Sequence, residues 1–371
     1  MSTAEGTGPR SPLAVAELTE EELLASLVPL LPRGRHELVG TGDDCAVLAA
    51  PDARYCVSTD LLVEGHHFST GWSSPQEIGA RAAAQNLADV AAMGARPVAL
   101  VVGLVLPPAT PPAWVQDLAR GMARACGRAG AGIVGGDLSA GESLVIAVTA
   151  HGDLEGRPPV LRSGARPGEI LVHVGTLGRS AAGLALLSAG VDDPDRAGTR
   201  EGAPPWGGLA ERARAAARQA LSVFRVPAPP LAAGPALADA GATAMMDVSD
   251  GLLRDAGRMA AASRVRIDIT DIGVGEPAGV RDGAGGDMAA LEPVARLLEG
   301  SPAAARALAR RWVLTGGEDH GLLAAVPAGA VAGLPEGGRI IGRVLEPGAG
   351  PCVTLGGRAP DVRGGWDHFR G

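Results

Sequence analysis

The sequence predicts a mixed α and β chain folded as two domains. Its 371 residues are more than one ordinary hydrophobic core holds. Short apolar, strand-like runs alternate with amphipathic helical runs along most of its length. A break at Gly156-Arg157-Pro158-Pro159 separates a first α/β unit from a second unit that again opens on a turn and a strand.

Taken in order, residues 1–15 are small and polar and read as a disordered lead. Ala16–Leu31 is amphipathic, with Thr19 as its N-cap and an interruption near Pro29. Strands are expected at Ala46–Ala49 and Tyr55–Ser58, the latter leading into Thr59-Asp60. Ser74-Pro75-Gln76-Glu77 is a capping box that starts a helix to about Met93, with Gly94 as its stop. Asn86 and Asp89 fall on one side of that helix. Val98–Leu106 reads as a strand buried on both faces, and Pro111 opens a helix to about Arg128. Ile133-Val134 enters Gly135-Gly136-Asp137, and Leu144–His151 is a further strand.

The second unit begins at Arg162-Ser163-Gly164, with a strand at Ile170–Val174 and a helix at Ala181–Leu187. Residues 189–208 read as a surface loop and Leu209–Val223 as a helix. Ala244–Met246 is a short strand from which Asp247-Val248-Ser249-Asp250 departs, with Ser249 at an N-cap position before a helix from Leu252. Residues 271–310 are rich in Ala and Gly, with one helical patch. Trp312–Leu314 leads as a strand into TGGEDHGLL, whose acid is Glu318, and the chain closes on GGWDHF.

The totals exclude several classes of function. A net charge of −8 disfavours nucleic acid as the main partner. The sequence offers no secretory leader and no apolar run long enough to span a bilayer, so a cytoplasmic protein is the expectation. The four cysteines form no C-x-x-C pair and read as free thiols. All 33 basic residues are Arg, and without Lys neither a Walker A loop nor a protein-kinase strand lysine can be built. No G-x-S-x-G elbow and no H-E-x-x-H helix occurs.

The chain is instead rich in carboxylates at the ends of short apolar runs: Asp44, Asp60, Asp89, Asp137, Asp247 and Asp250. Any one of them could simply cap a turn. Brought together in one dry pocket they would repel one another unless several divalent cations shared them. That points to a multi-metal phosphate site, because hard cations take oxygen ligands and bridge to phosphates. His67 suits a phosphate contact or a solvated surface equally well.

GDDCAVL, STDLLVEGHHF, NLADVAAMGARP, GGD, RSGARPGE, DVSDGL, TGGED and the closing GGWDHF stand in this order from roughly residue 20 to residue 371. In that series the chain resembles the thiamine-monophosphate kinase family, within the superfamily of aminoimidazole ribonucleotide synthetase. The resemblance implies an α+β fold with an N-terminal α/β domain (16–156) that joins sheets in a homodimer, and a C-terminal α+β domain (157–371). It implies ATP-dependent phosphorylation of thiamine monophosphate to thiamine diphosphate. By the same resemblance Asp44, Ser58, Thr59, Asp60, Asp89, Asp137, Asp247 and Asp250 would hold several Mg2+ ions. Gly136, Asp137, Arg162 and Ser249 would contact ATP, and His67, Glu318 and Trp366 the thiamine phosphate. The family continues GGED with an aromatic and an acid, where this chain has His320 and Gly321. Another synthetase of the superfamily, or a non-catalytic nucleotide or thiamine phosphate binder, stays open on the residues alone.

Overall fold

The structure is a computed structural model and describes residues 14–41, 45–193, 206, 210–270, 285–362 and 365. Asp44, Trp366, nearly all of the expected lead, most of the 189–208 loop and residues 271–284 lie outside the described residues.

The first helix, α1 (Glu20–Leu27), starts as its sequence dictates. Thr19 Oγ1 accepts from the Glu22 N–H at 3.2 Å, and Glu22 Oε2 accepts from the Thr19 N–H at 2.9 Å. Pro29 lies in a short 3-10 turn that follows. Strands β1 (Glu37–Val39) and β2 (Val47–Leu48) pair antiparallel. Then come β3 (Cys56–Val63), α2 (Pro75–Ala92), β4 (Arg96–Leu106), α3 (Pro112–Ala129), β5 (Gly132–Ala140) and β6 (Val145–Asp153). These strands form a sheet in the order β3-β6-β4-β5, with β4 and β5 parallel.

The C-terminal half contributes β7 (Ile170–Val174), α4 (Arg179–Ser188), α5 (Glu211–Arg225), α6 (Ala233–Asp239), β8 (Ala244–Val248), α7 (Leu252–Ser263) and β9 (Arg266–Ile269). It ends with α8 (Gly285–Ala295), α9 (Pro302–Thr315), β10 (Gly321–Val326), β11 (Gly338–Leu345) and β12 (Val353–Leu355). Six strands form one sheet in the order β12-β9-β11-β7-β10-β8. Its neighbours are antiparallel except β12 and β9. Val172, Val174, Met245, Leu322, Ala324 and Val326 pack its face against Ala233 and Leu237 of α6. The chain packs as two compact units. Among the described residues, one is formed by those up to Ala49 with Thr59–Ala83 and Ala99–Thr149, the other by Ala50–Ser58, Ala84–Val98 and those from Ala150 on.

Several expectations need correction. The strand expected to end at Ser58 runs on to Val63, and the one expected to end in Gly135-Gly136-Asp137 continues to Ala140. The STD and GGD residues therefore sit within strands rather than where the strands give way to turns. The cause in β3 is alternation: Val57, Thr59 and Leu61 face solvent, whereas Ser58, Asp60 and Leu62 are more covered, which a pleat accommodates. Val98–Leu106 is not buried on both faces throughout, because alternate residues from Val101 are only half-buried. Trp312–Leu314 is the buried end of helix α9, not a strand, and Ser301 caps that helix at its start. Ser249 caps nothing, since α7 starts after Gly251, the residue in the cap position. Strand β9 and helix α6 had no reading in the sequence. In β9 a buried Asp268, held by the Thr354 hydroxyl and the Gly357 N–H at 2.7 Å each, hides an apolar strand pattern.

Helix α4 lacks a cap of its own, because Gly178 has no side chain to offer. Asp319 supplies one from a distant turn. Its carboxylate accepts from the Arg179 N–H at 3.1 Å, the Ser180 N–H at 2.8 Å and the Thr176 hydroxyl at 2.8 Å. Burial pushes the Asp319 carboxyl up from 3.8 to about 6, against the pull of those hydrogen bonds and with help from the Asp287 charge. The folded state thus binds this proton more tightly than the unfolded chain. The resulting stabilisation is complete below 3.8 and disappears as pH rises to about 6. Relative to Asp319→Asn, the wild type should lose stability across that window in equilibrium denaturation at a series of pH values. A difference that grows with pH would contradict the assignment.

Candidate functional site

Strand β3 aims Ser58 and Asp60 to one side of the sheet and Thr59 to the other. Ser58 Oγ donates to Asp89 Oδ2 at 2.7 Å, so the strand and helix α2 are joined at two of the expected site residues. Asp89 is half-buried and Asn86 is fully buried on that helix, which is not a solvated polar face. The Thr59 hydroxyl is engaged elsewhere: it donates to the Val148 carbonyl at 3.1 Å and lies 3.1 Å from Thr149 Oγ1.

The His67 ring closes the turn after β3. The Val63 N–H donates to its Nδ1 at 3.1 Å, so the neutral ring carries its proton on Nε2. Asp137 is exposed on β5, with the Ser139 hydroxyl 3.2 Å from its Oδ2. Gly136 is glycine for a backbone reason, because a Cβ there would run into the Val102 main chain of β4.

Arg162 presents an exposed side chain from a pinned turn. Its carbonyl accepts from Ser263 Oγ at 2.9 Å, and that same Oγ accepts from the Ala165 N–H at 3.1 Å. The neighbouring Leu161 carbonyl takes the Met245 N–H of β8.

The DVSD and GGED turns form a single structure. Asp247 is the penultimate residue of β8 and is buried, while Ser249 and Asp250 are half-buried beyond the strand's end. The Glu318 N–H donates to the Ser249 carbonyl at 2.9 Å and the His320 N–H to the Val248 carbonyl at 3.3 Å. Glu318 and His320 both take left-handed backbone, φ 65° and 54°. Such conformations cost of order 1–3 kcal/mol each in a residue with a side chain and persist where the surroundings impose them. Each carboxylate of the DVSD turn has a partner. Asp247 Oδ2 lies 3.2 Å from His320 Nδ1. Asp250 Oδ2 lies 2.6 Å from Arg258, which also reaches Asp255 at 2.7 Å. Buried Asp255 accepts the Asp250 N–H at 2.9 Å, and burial pushes its own carboxyl up to about 6.

Sequence reasoning missed His320, Asp255, Arg258 and Asp319. The Asp255–Arg258 pair was legible as an i, i+3 charge pair on α7. The contacts from the GGED turn were not. The donor set is all oxygen and includes none of the four cysteines, which are free, so its chemistry fits Mg2+. Among the described residues no three His, Cys, Asp or Glu side chains gather tightly enough to hold a metal ion, and Asp44 lies outside them. No helix among the described residues is long and apolar enough to cross a membrane.

Comparison with known proteins places these residues in a family. The AIR synthase related protein N-terminal domain matches residues 42–154, and its C-terminal counterpart matches residues 166–315. A thiamine-monophosphate kinase of Mycobacterium tuberculosis is 43% identical over 349 residues, covering 93% of this chain and 91% of the relative. That of Corynebacterium glutamicum is 40% identical, with 88% of each chain covered. The solved structure of AaThiL complexed with AMPPCP and TMP superposes with a TM-score of 0.67 at 29% identity, covering 85% of this chain and 87% of that one. The thiamine-monophosphate kinase of Stenotrophomonas maltophilia gives 0.68 at 28% identity, covering 94% and 99%. The hydrogenase maturation protein HypE shares the fold at 18% identity and a TM-score of 0.62. With two-domain matches and relatives this similar along nearly its whole length, the chain belongs to the thiamine-monophosphate kinase family.

Proposed function

We propose that this chain transfers the γ-phosphoryl group of ATP to thiamine monophosphate, giving ADP and thiamine diphosphate. The observation that carries this reading is 43% identity with a thiamine-monophosphate kinase over 93% of the chain. The complex of a relative with AMPPCP and TMP supports the same pair of substrates.

The residues support a particular chemistry. The acceptor atom is a phosphate oxygen, anionic near neutral pH, so the chain needs no general base. Its task is to hold two phosphate-bearing molecules in line and to offset their repulsion. Mg2+ ions would be held by Asp44, Ser58, Thr59, Asp60, Asp89, Asp137, Asp247 and Asp250. When bound, they supply charge screening to the phosphates. Gly136, Asp137, Ser249 and Arg162 would contact ATP. His67, with its proton on Nε2, would donate to the thiamine phosphate, and Glu318 and Trp366 would complete that subsite. A tryptophan there suits the cationic thiazolium ring.

In this reading residues 16–156 carry metal and ATP binding and the dimer contact, and residues 157–371 form the C-terminal α+β domain. A homodimer is supported by the solvent face of β3, an edge strand that exposes Val57 at 61% and Leu61 at 58%. The cytoplasm is the proposed location.

Incubated with Mg-ATP and thiamine monophosphate, the protein should yield ADP and thiamine diphosphate in equal amounts, with little inorganic phosphate. Unphosphorylated thiamine should be a poor acceptor, because its hydroxyl is not ionised and no base is placed to take the proton. Release of free phosphate in place of thiamine diphosphate would identify a synthetase-type relative instead. With no Lys in the chain, Arg162→Ala should weaken ATP binding or turnover by about tenfold or more, as expected for a charge-assisted hydrogen bond. An unchanged ATP dependence would remove Arg162 from the site.

A further inference from the structure

The two departures from the family's pattern after GGED each meet a different partner. A side chain at Gly321 would collide with the ring of His173, whose Nε2 and Cε1 occupy the space a Cβ would need. His173 is fully buried on β7, and its Nδ1 lies 3.0 Å from the Arg339 guanidinium. Arginine only donates, so Nδ1 accepts and the imidazole is neutral. Burial and the Arg339 charge both hold it in that form. Arg339 is fixed in turn by Asp287 at 2.7 Å and the Gly175 carbonyl at 2.8 Å. The space beneath residue 321 is therefore filled by a neutral ring, and no carboxylate can stand there.

One residue earlier, His320 is held in left-handed backbone by its bond to the Val248 carbonyl, and its ring reaches Asp247. Both residues are buried, at 7% and 9% exposure, so this bond has little competition from water. A carboxylate can only accept, which makes Nδ1 the donor and Asp247 Oδ2 the acceptor.

We propose that His320 is a positioning residue for the cation site: its Nδ1–H holds Oδ2 of Asp247 and fixes the orientation in which that carboxylate meets Mg2+. The inference rests on Asp247 being a cation ligand, as in the functional reading above. Partners that orient a ligand in this way are commonly worth 10–100-fold in metal affinity or activity.

The test measures cation binding without turnover. Mn2+ is titrated into the full-length protein with saturating ADP and followed by electron paramagnetic resonance. His320→Phe, which keeps a ring but removes the donor, should raise the Mn2+ dissociation constant about tenfold. His320→Ala reads the same loss if the phenylalanine variant does not fold. His320→Gln, whose amide can donate, should recover most of the affinity. In an Asp247→Asn background the His320 substitutions should add little, because they act through that carboxylate. Wild-type Mn2+ affinity in a folded His320→Phe or His320→Ala protein, even with a lowered thermal transition, would overturn the proposal and leave a purely structural contact. So would losses that simply add to that of Asp247→Asn. Since no phosphoryl transfer is involved, failure of the kinase reading would appear separately, as wild-type protein that binds Mn2+ but forms no thiamine diphosphate.

Discussion

The DVSD and GGED turns depend on one backbone junction. Two main-chain hydrogen bonds, from Glu318 to Ser249 and from His320 to Val248, tie the turn before β10 to the end of β8. Everything that turn carries is then placed by chain geometry. Glu318 is displayed in left-handed backbone, Asp319 is driven inward to cap α4, and His320 is set against Asp247. Three consecutive residues thus serve three different elements. A strained turn of this kind persists because each neighbour holds it.

The electrostatics follow from the same junction. A kinase that must hold two phosphate-bearing molecules cannot rely on lysine in a chain that has none. Acids brought close together repel one another unless each has a partner. The structure gives individual protein partners to those acids it describes most fully: Ser58 to Asp89, His320 to Asp247, Arg258 to Asp250. Each partner fixes a carboxylate's direction and limits its cost. The pairing of Asp250 with Arg258 also means that a cation there would compete with a guanidinium.

Much of this was legible in the sequence, and the remainder was hidden for physical reasons. The N-cap at Thr19 and the capping box at Ser74 were readable because their partners lie three residues away. β7 was readable because it is a short apolar run bounded by turns. The lengths of β3, β5 and β8 were not, because polar residues continue the pleat where composition suggests a turn. The ordered motif series gave the family. The contacts that orient the acids span 73 residues for His320–Asp247 and 139 for Ser180–Asp319, and no local pattern encodes a pairing over such distances. The odd dipeptide His320-Gly321 was visible as a departure, but its sense came only with the ring of His173 in place.

The central claim is that the γ-phosphoryl group passes directly and in line between two anions, with no base and no protein-bound intermediate. The stereochemical course at phosphorus tests this most directly. Reaction from ATP made chiral at the γ-phosphorus with oxygen isotopes and sulfur, followed by configurational assignment of the thiamine diphosphate analogue formed, should show inversion, the mark of a single in-line displacement. Retention would require two displacements through a phosphorylated residue of the protein, and would contradict the account.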